Sequence, residues 1–298
     1  MKMVFDNALP ERAETIAGVL DHGFELYTRT LKQAAALIAV GATLAGVLSL
    51  MLSRMGSFNW KNYWLWPFWI GIFLLGCACQ AAAIYSIGLR ARGRFESFRA
   101  CLWFGCKDCF RMFGLMLLSL VLLGLAFAAG GMWMYAVGAS MFQFMDEFNR
   151  MPIFGPLFGF LSILVLLAPL LTILAFFSVP LMLAPCVLVL LRQGVFSSVG
   201  TGFTLMGQHF WRSTLIFSVP GVLLMIASTA VQSTLLVGIS KGWVVSRPFL
   251  FELCTQLILI PAQALLMPLL FASTIALFSD LLIRREGRDL AAQLDALK

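Results

Sequence analysis

The chain has 298 residues, of which 61% are hydrophobic and only 12% are charged. A soluble domain is about half apolar and about a quarter charged, so the composition excludes an ordinary soluble protein and indicates a polytopic membrane protein. The formal net charge of +7 is interpreted as an excess of basic residues on the cytoplasmic side, and nucleic acid is not an expected partner.

The N-terminal segment is the longest polar stretch of the chain, and its charges are mixed in sign. It lacks the basic region, the apolar region and the small-residue site of a cleaved signal peptide, so we expect the first spanning helix to be retained. Because no polar stretch is long enough for a soluble domain, residues 1–298 are predicted to form a single membrane domain.

Six long runs without Asp, Glu, Lys or Arg follow this segment. A spanning helix needs about 20 mostly apolar residues, so each run predicts one crossing. The start of the fourth run, MPIFGP, is interpreted as a loop, which leaves one long helix rather than a hairpin. The runs are residues 33–53, 62–89, 112–145, 151–191, 213–240 and 253–279.

The basic residues lie mostly on one of the two sides that six crossings define. Sixteen of the 21 Lys and Arg residues fall on the side that contains both termini. The positive-inside rule therefore places both termini in the cytoplasm. A seventh crossing would export Arg284 and Arg285, which argues against an odd number.

Three stretches with apolar residues in a 4, 3, 4 spacing precede the odd-numbered crossings. The third spans residues 195–212, where Val199, Phe203, Met206 and Phe210 have this spacing. The pattern is typical of an amphipathic helix, and its position predicts a helix on the inner membrane surface. We predict three repeat units over residues 11–90, 91–191 and 192–283, each an interfacial helix followed by a transmembrane hairpin, and a cytoplasmic tail over 284–298.

Few residues could carry chemistry. The two histidines, His22 and His209, have no second ligand at metal-binding spacing. Cys106 and Cys109 have the spacing of a redox pair, but they interrupt an amphipathic helix rather than a thioredoxin-like unit. No nucleophile elbow and no phosphate-binding glycine loop occurs. We therefore expect no metal, no cofactor and no enzymatic activity.

The six apolar runs contain amides and small residues instead of charges. Amides such as Gln80 and Gln263 usually join spanning helices by hydrogen bonds, and Gly41 with Ala45 predicts a close approach of another helix. Prolines in the fourth and sixth runs, including Pro261 and Pro268, could instead interrupt helices around a cavity. Both interpretations are compatible with the sequence.

Residues 278–290, FSDLLIRREGRDL, are the most distinctive motif. They resemble the ending Tyr-x-Asp-Leu-Arg-x-Arg-x-Glu-Gly-x-Asp-Leu of bacterial proteins related to the glycerophosphoryl diester phosphodiesterase membrane domain. Asp280, Arg284 and Glu286 stand at matching positions, whereas Phe278 or Ser279 replaces the tyrosine and Leu282 the first arginine. Residues 199–212 are similar to the surface helix of that family. The resemblance implies a six-helix module of the bacterial inner membrane, here without room for the catalytic domain.

Together these features predict an all-α, non-enzymatic inner-membrane module that is a scaffold or accessory subunit. Its expected partners are membrane lipids and either other membrane proteins or a second copy of the chain. The alternative is a permease or translocator of a neutral or lipidic small molecule. Aromatic and basic residues near the headgroups are the candidate lipid or partner contacts. These residues are Phe203, Phe210, Trp211, Arg212, Arg284, Arg285 and Arg288.

Overall fold

The chain folds into helices in a computed structural model that describes residues 14–54, 66–148, 155–207, 209–240 and 248–286. Within these ranges there is no β-strand. The helices are α1 (Ile16–Arg54), α2 (Trp66–Ala91), α3 (Phe98–Phe148), α4 (Gly155–Leu191), α5 (Val195–Gly207), α6 (Phe210–Ser240) and α7 (Pro248–Glu286).

Six of the described helices contain a segment that is long and apolar enough to cross a membrane. The exception is α5, which has 13 residues. The prediction of an all-α protein with six helices long and apolar enough to span a membrane is therefore confirmed for the described residues. The six segments are Ile16–Leu48, Pro67–Ala91, Phe98–Val137, Leu167–Leu191, Phe210–Ala227 and Phe249–Arg285.

The helix boundaries before the odd-numbered spans differ from one another. Helices α1 and α3 continue without a break from the predicted surface stretches into the spans. In the third stretch, α5 ends at Gly207 and α6 begins at Phe210, so the single helix expected over 195–212 is divided. Glycine commonly ends a helix, and here the amide of His209 donates a 2.8 Å hydrogen bond to the carbonyl of Met206. Phe210 to Arg212 consequently belong to α6.

Helix α7 is one continuous helix of 39 residues that includes Pro261 and Pro268. Proline removes one backbone hydrogen bond and tends to bend a helix, but these two positions do not interrupt α7. The part of α7 that follows them is buried at every residue from Ala272 to Leu281. The helix ends at Glu286, within the segment predicted to be the cytoplasmic tail.

The described residues form two compact units. The first contains the residues up to Leu115 and those from Leu183 onward. In this unit α1 packs against α2 and α7, with Leu26, Leu37 and Ile84 fully buried.

Two glycines of the first unit show how closely its helices approach. A Cβ on Gly41 of α1 would lie 2.7 Å from the Sγ of Cys79 on α2. A Cβ on Gly105 of α3 would lie 2.1 Å from the carbonyl oxygen of Ala78. The close helix approach expected at Gly41 is thus present, and a still closer one occurs at Gly105.

The second unit covers residues 116–182, and its described residues are later turns of α3 and early turns of α4. Gly130 lets these helices approach, because a Cβ there would lie 2.2 Å from the Cδ1 of Leu170. Leu120, Leu125 and Phe127 are exposed apolar residues of this unit. Exposed apolar side chains on a spanning helix are suited to contact with lipid acyl chains.

Candidate functional site

A fully buried carboxylate joins three separate parts of the first unit. One oxygen of Asp280 on α7, Oδ1, accepts a 3.1 Å hydrogen bond from the backbone amide of Glu14. The other, Oδ2, accepts hydrogen bonds from the guanidinium of Arg212 on α6, at 3.2 Å, and from that of Arg284, at 3.1 Å. Both arginines also donate to the carbonyl oxygen of Glu14. We call these four residues the Asp280 cluster.

Local sequence explains part of the cluster. Asp280 and Arg284 are four residues apart, so they lie on the same face of α7. The Arg212 side chain is 19% exposed and the Arg284 side chain 25% exposed, so these ion pairs are poorly screened by solvent. Removing one partner of such a buried pair usually costs about 3 to 5 kcal/mol because the other charge is left without a counter-ion. The cluster therefore holds the segment before α1 against the beginning of α6 and the end of α7.

The predicted contact residues lie in different environments. Arg212 and Arg284 meet at Asp280, whereas Trp211 and Arg285 are exposed. Phe203 and Phe210 are half-buried, and the Phe210 ring packs edge-on against Trp211 with 5.0 Å between centroids. Arg288 lies outside the described residues.

Asp280 and Glu14 are not among the site residues that the sequence predicts. Asp280 directly follows the sixth apolar run and is followed by an arginine four residues later. An acidic residue at the end of a spanning segment with a basic residue on the same helix face is a signal of a buried ion pair. No sequence signal points to Glu14, which contributes only backbone atoms.

A second feature of the first unit is an open cavity with basic walls where α2 and α4 end and α3 begins. It consists of two adjoining parts of about 600 and 390 Å³ that share Tyr85, Glu96 and Arg192. Its cationic side chains come from chain segments far apart in sequence and were not grouped by sequence reasoning. They are Arg92, Arg94, Lys107, Arg111 and Arg192, against the carboxylates of Glu96 and Asp108. We call this feature the basic cavity.

Aromatic rings form one wall of the basic cavity. The rings of Tyr85 on α2 and Phe104 on α3 stack with 3.9 Å between centroids and 8° between planes. The Tyr85 hydroxyl donates a 3.2 Å hydrogen bond to Oε1 of Glu96. The guanidinium carbon of Arg192 lies 5.5 Å from the centre of the Phe104 ring, within the range of a cation–π interaction.

Arg111 fixes the end of α4 beside the cavity. Its guanidinium donates to the carbonyl oxygens of Arg192 and Gln193, at 3.3 and 2.9 Å, and contacts Asp108 at 3.3 Å. Carbonyls at a helix C-terminus lack partners within the helix, and basic side chains commonly supply them. Arg192 has a φ of 53°, which is left-handed backbone. The helix terminus thus directs the chain past the cavity.

Electrostatic repulsion is present within the basic cavity. Burial lowers the pKa of Arg92, and the neighbouring charge of Arg94 lowers it further. Because arginine keeps its proton over any physiological pH range, both guanidinium groups stay charged. An anion between them would reduce this repulsion.

A smaller cavity of about 140 Å³ lies among α1, α2 and α7 near the middle of α2. Its walls are mainly apolar and include Gly41, Cys79 and Met267. The two amide side chains Gln80 and Gln263 also line it. The cavity therefore combines small residues with two neutral hydrogen-bonding groups.

Cysteine and histidine residues form no assembled site in the described part of the chain. All seven cysteines are free thiols; Cys106 is exposed and Cys109 is half-buried. No group of three or more His, Cys, Asp or Glu side chains with metal-binding geometry occurs among the described residues.

Comparison with known proteins assigns no function to these clusters and cavities. No protein-family model, curated protein or solved structure matches the chain.

Proposed function

We propose that the chain is a non-enzymatic integral membrane module, a scaffold or accessory subunit that contacts lipid and other membrane proteins. The observation that carries this proposal is a group of exposed aromatic side chains near the ends of the helices that form the basic cavity and the Asp280 cluster. These side chains are between 65% and 80% exposed. They are Phe95, Trp103, Phe110, Phe196 and Trp211.

The chemistry of these rings supports contact with a membrane surface. Tryptophan prefers the headgroup layer because its ring is apolar and its N–H is polar. The Nζ of Lys107 lies 5.2 Å from the centre of the Trp103 ring, and Arg212 follows Trp211 in sequence. A layer of exposed rings beside basic groups favours anionic headgroups or the juxtamembrane surface of another protein.

The proposal includes three hairpins, three repeat units and both termini in the cytoplasm of a bacterial cell with the module in its inner membrane. The support is the excess of basic residues on the side of the termini. A C-terminal reporter that is active only in the cytoplasm should therefore be active. Activity of a periplasmic reporter at the same position would contradict this orientation.

A relation to the glycerophosphoryl diester phosphodiesterase membrane-domain family is also part of the proposal. The motif over residues 278–290 includes Asp280 and Arg284, which contact each other directly. A motif that contains a buried ion pair is expected to have a structural role. In that case the motif would reflect shared packing rather than a shared reaction.

Co-purification tests the scaffold proposal. The protein would be purified in mild detergent, and proteins and lipids enriched relative to an unrelated six-span membrane protein would be identified by mass spectrometry. We expect defined membrane proteins to co-purify and to be depleted in the double variant Phe196→Ala, Trp211→Ala. Tyr135→Ala is a matched control, because Tyr135 is also an exposed aromatic residue, at 82%, on later turns of α3.

The results have opposite consequences for the proposal. Depletion by the double variant but not by Tyr135→Ala would support contact through the exposed rings. A protein that purifies without enriched protein partners would contradict a scaffold or accessory role.

The small cavity beside Gln80 and Gln263 favours a second candidate, a permease for a small neutral molecule. Two amides could replace part of the hydration of a neutral solute in the membrane. Light scattering of proteoliposomes exposed to glycerol or urea gradients would measure such permeation. Faster solute entry than in protein-free liposomes, abolished by Gln80→Leu with Gln263→Leu, would support it, and equal rates would contradict permeation of these solutes.

A further inference from the structure

The cationic side chains of the basic cavity, five in number, outnumber its two carboxylates. Asp108 already pairs with Arg111, and Glu96 accepts a hydrogen bond from the neutral hydroxyl of Tyr85. The ion pairs between described residues include neither Arg94 nor Arg192. These two guanidinium groups are therefore available to an anion.

The cavity has the size and the donor groups for a phosphate. Both Arg94 and Arg192 line its larger part, and a volume of about 600 Å³ is within the range of small-molecule sites. A guanidinium presents parallel N–H groups that match two oxygens of a phosphate, which makes arginine the preferred side chain for this anion. Arg192 lines both parts of the cavity, so it can contact a ligand in either part.

The position of the cavity indicates where such a phosphate comes from. The spanning segments of α2 and α4 end at Ala91 and Leu191. Arg92 and Arg192 directly follow these ends, and Arg94 lies in the connection between α2 and α3, at the depth where lipid headgroups lie. The exposed ring of Trp103 lines the smaller part, so an apolar surface adjoins the cationic one.

We propose that the basic cavity binds the phosphate of an anionic phospholipid headgroup. Arg94 and Arg192 contact the phosphate oxygens, and the acyl chains extend along the apolar surface of the helices. This site rests on the proposed function and deepens it, because it names the class of lipid that the module contacts. It is separate from the exposed rings of Phe196 and Trp211.

Native mass spectrometry of the full chain tests this inference. The protein would be delipidated in a phosphate-free detergent and titrated with phosphatidylglycerol, or with phosphatidylcholine as a zwitterionic lipid. We expect one phosphatidylglycerol to bind in preference to phosphatidylcholine. Arg94→Gln and Arg192→Gln should each raise the Kd for phosphatidylglycerol by about tenfold, the effect of losing one charge-assisted contact.

Arg99→Gln is the matched control. Arg99 is also an exposed arginine, in the first turn of α3, but it does not line the cavity. Arg99→Gln thus removes one positive charge at the beginning of α3 without removing a cavity residue. Its Kd for phosphatidylglycerol should therefore stay within about twofold of that of the unmodified chain. An increase as large as that of Arg192→Gln would show that general surface charge binds the lipid and would overturn the inference.

A second titration distinguishes lipid phosphate from free phosphate. Inorganic phosphate is expected to compete with phosphatidylglycerol only weakly, because it lacks the apolar part of the ligand. If inorganic phosphate binds in an Arg192-dependent manner and phosphatidylglycerol does not bind, the cavity is a site for a soluble anion and the lipid assignment is wrong. Equal binding of both lipids, or unchanged binding in both cavity variants, also overturns the assignment.

These outcomes can be separated from failure of the scaffold proposal. If the cavity variants lose phosphatidylglycerol but the co-purifying proteins are retained, the cavity is a lipid site that does not depend on those partners. If no preferential lipid binding is found while partners still co-purify, only the cavity inference fails. If the chain binds phosphatidylglycerol in the cavity but enriches no protein partner, the scaffold role fails and the cavity site is supported.

Discussion

The Asp280 cluster and the basic cavity both bring arginine side chains together, but they differ in how these charges are balanced. In the cluster, two guanidinium groups share one fully buried carboxylate and one backbone carbonyl. In the cavity, five cationic side chains face only two carboxylates, and one of these, Asp108, already pairs with Arg111. The first arrangement is complete within the chain, whereas the second is completed by an anion.

The difference shows that the number of arginines at a site does not indicate its role. A fully buried carboxylate whose two oxygens are both engaged is not accessible to a ligand, so the cluster acts on the stability of the fold. Arg94 and Arg192 are exposed, and exposed cations contribute little to stability, so the cavity is suited to binding. Substitutions in the two regions should therefore change different measurements.

The largest effect is expected from Asp280→Ala. This change leaves two poorly exposed guanidinium groups without their counter-ion, so the free energy of unfolding should fall by about 3 to 5 kcal/mol. The measurement is equilibrium unfolding in mixed detergent and dodecyl sulfate micelles. Asp108→Ala is a control because Asp108 pairs with a more exposed arginine, at 40%, and a loss of the same size there would contradict the comparison.

The six spans were predictable from sequence because a bilayer imposes a strong and local constraint. A helix must stay apolar over about 20 residues to cross it, and runs of this length can be read directly. The boundary between α5 and α6 was not predictable in the same way. The apolar spacing of Phe203, Met206 and Phe210 is helical on both sides of the break, so periodicity alone does not locate it.

The two sites were less predictable than the spans because they depend on tertiary packing. Asp280 and Arg284 are close in sequence, but Arg212 is 68 residues away from Asp280, and Glu14 contributes only backbone atoms. Likewise, Arg94 and Arg192 share the cavity only because the ends of α2 and α4 meet. The sequence predicts Arg212 and Arg284 as lipid or partner contacts, which stays a prediction, and in the structure both donate to the carboxylate of Asp280.

A smaller loss of stability is expected from Gly105→Ala, which tests whether the helices that form the cavity are held rigidly. The added Cβ would lie 2.1 Å from the carbonyl oxygen of Ala78, so α2 and α3 must separate. We expect a cost of about 1 to 3 kcal/mol and weaker binding of phosphatidylglycerol. Gly124→Ala, on the same helix with nothing within 4 Å of the new methyl group, should not lower the free energy of unfolding, because alanine favours a helix over glycine, and should leave lipid binding unchanged.

Arg284→Lys separates charge from geometry in the Asp280 cluster. Lysine keeps the positive charge but cannot contact both Oδ2 of Asp280 and the carbonyl of Glu14 through a planar fork. The free energy of unfolding should fall by about 1 to 2 kcal/mol. Arg285→Lys changes an exposed neighbour and should have no measurable effect. Equal stability of the two variants would show that charge alone holds the cluster.

The smallest effect is expected from Tyr85→Phe, at the wall of the basic cavity. This change keeps the ring that stacks on Phe104 but removes the hydrogen bond to Glu96. Because Glu96 is exposed and water can replace the lost donor, the free energy of unfolding should change by less than about 1 kcal/mol.

The carboxylate of Glu96 that Tyr85→Phe frees can turn toward Arg192, which lines the same cavity, and compete with a phosphate there. We therefore expect the Kd for phosphatidylglycerol to rise by about two- to threefold at unchanged stability, since a repositioned surface charge contributes well under 1 kcal/mol. A variant that loses stability but keeps its lipid affinity would show that Tyr85 serves the fold, as Asp280 does, rather than the cavity.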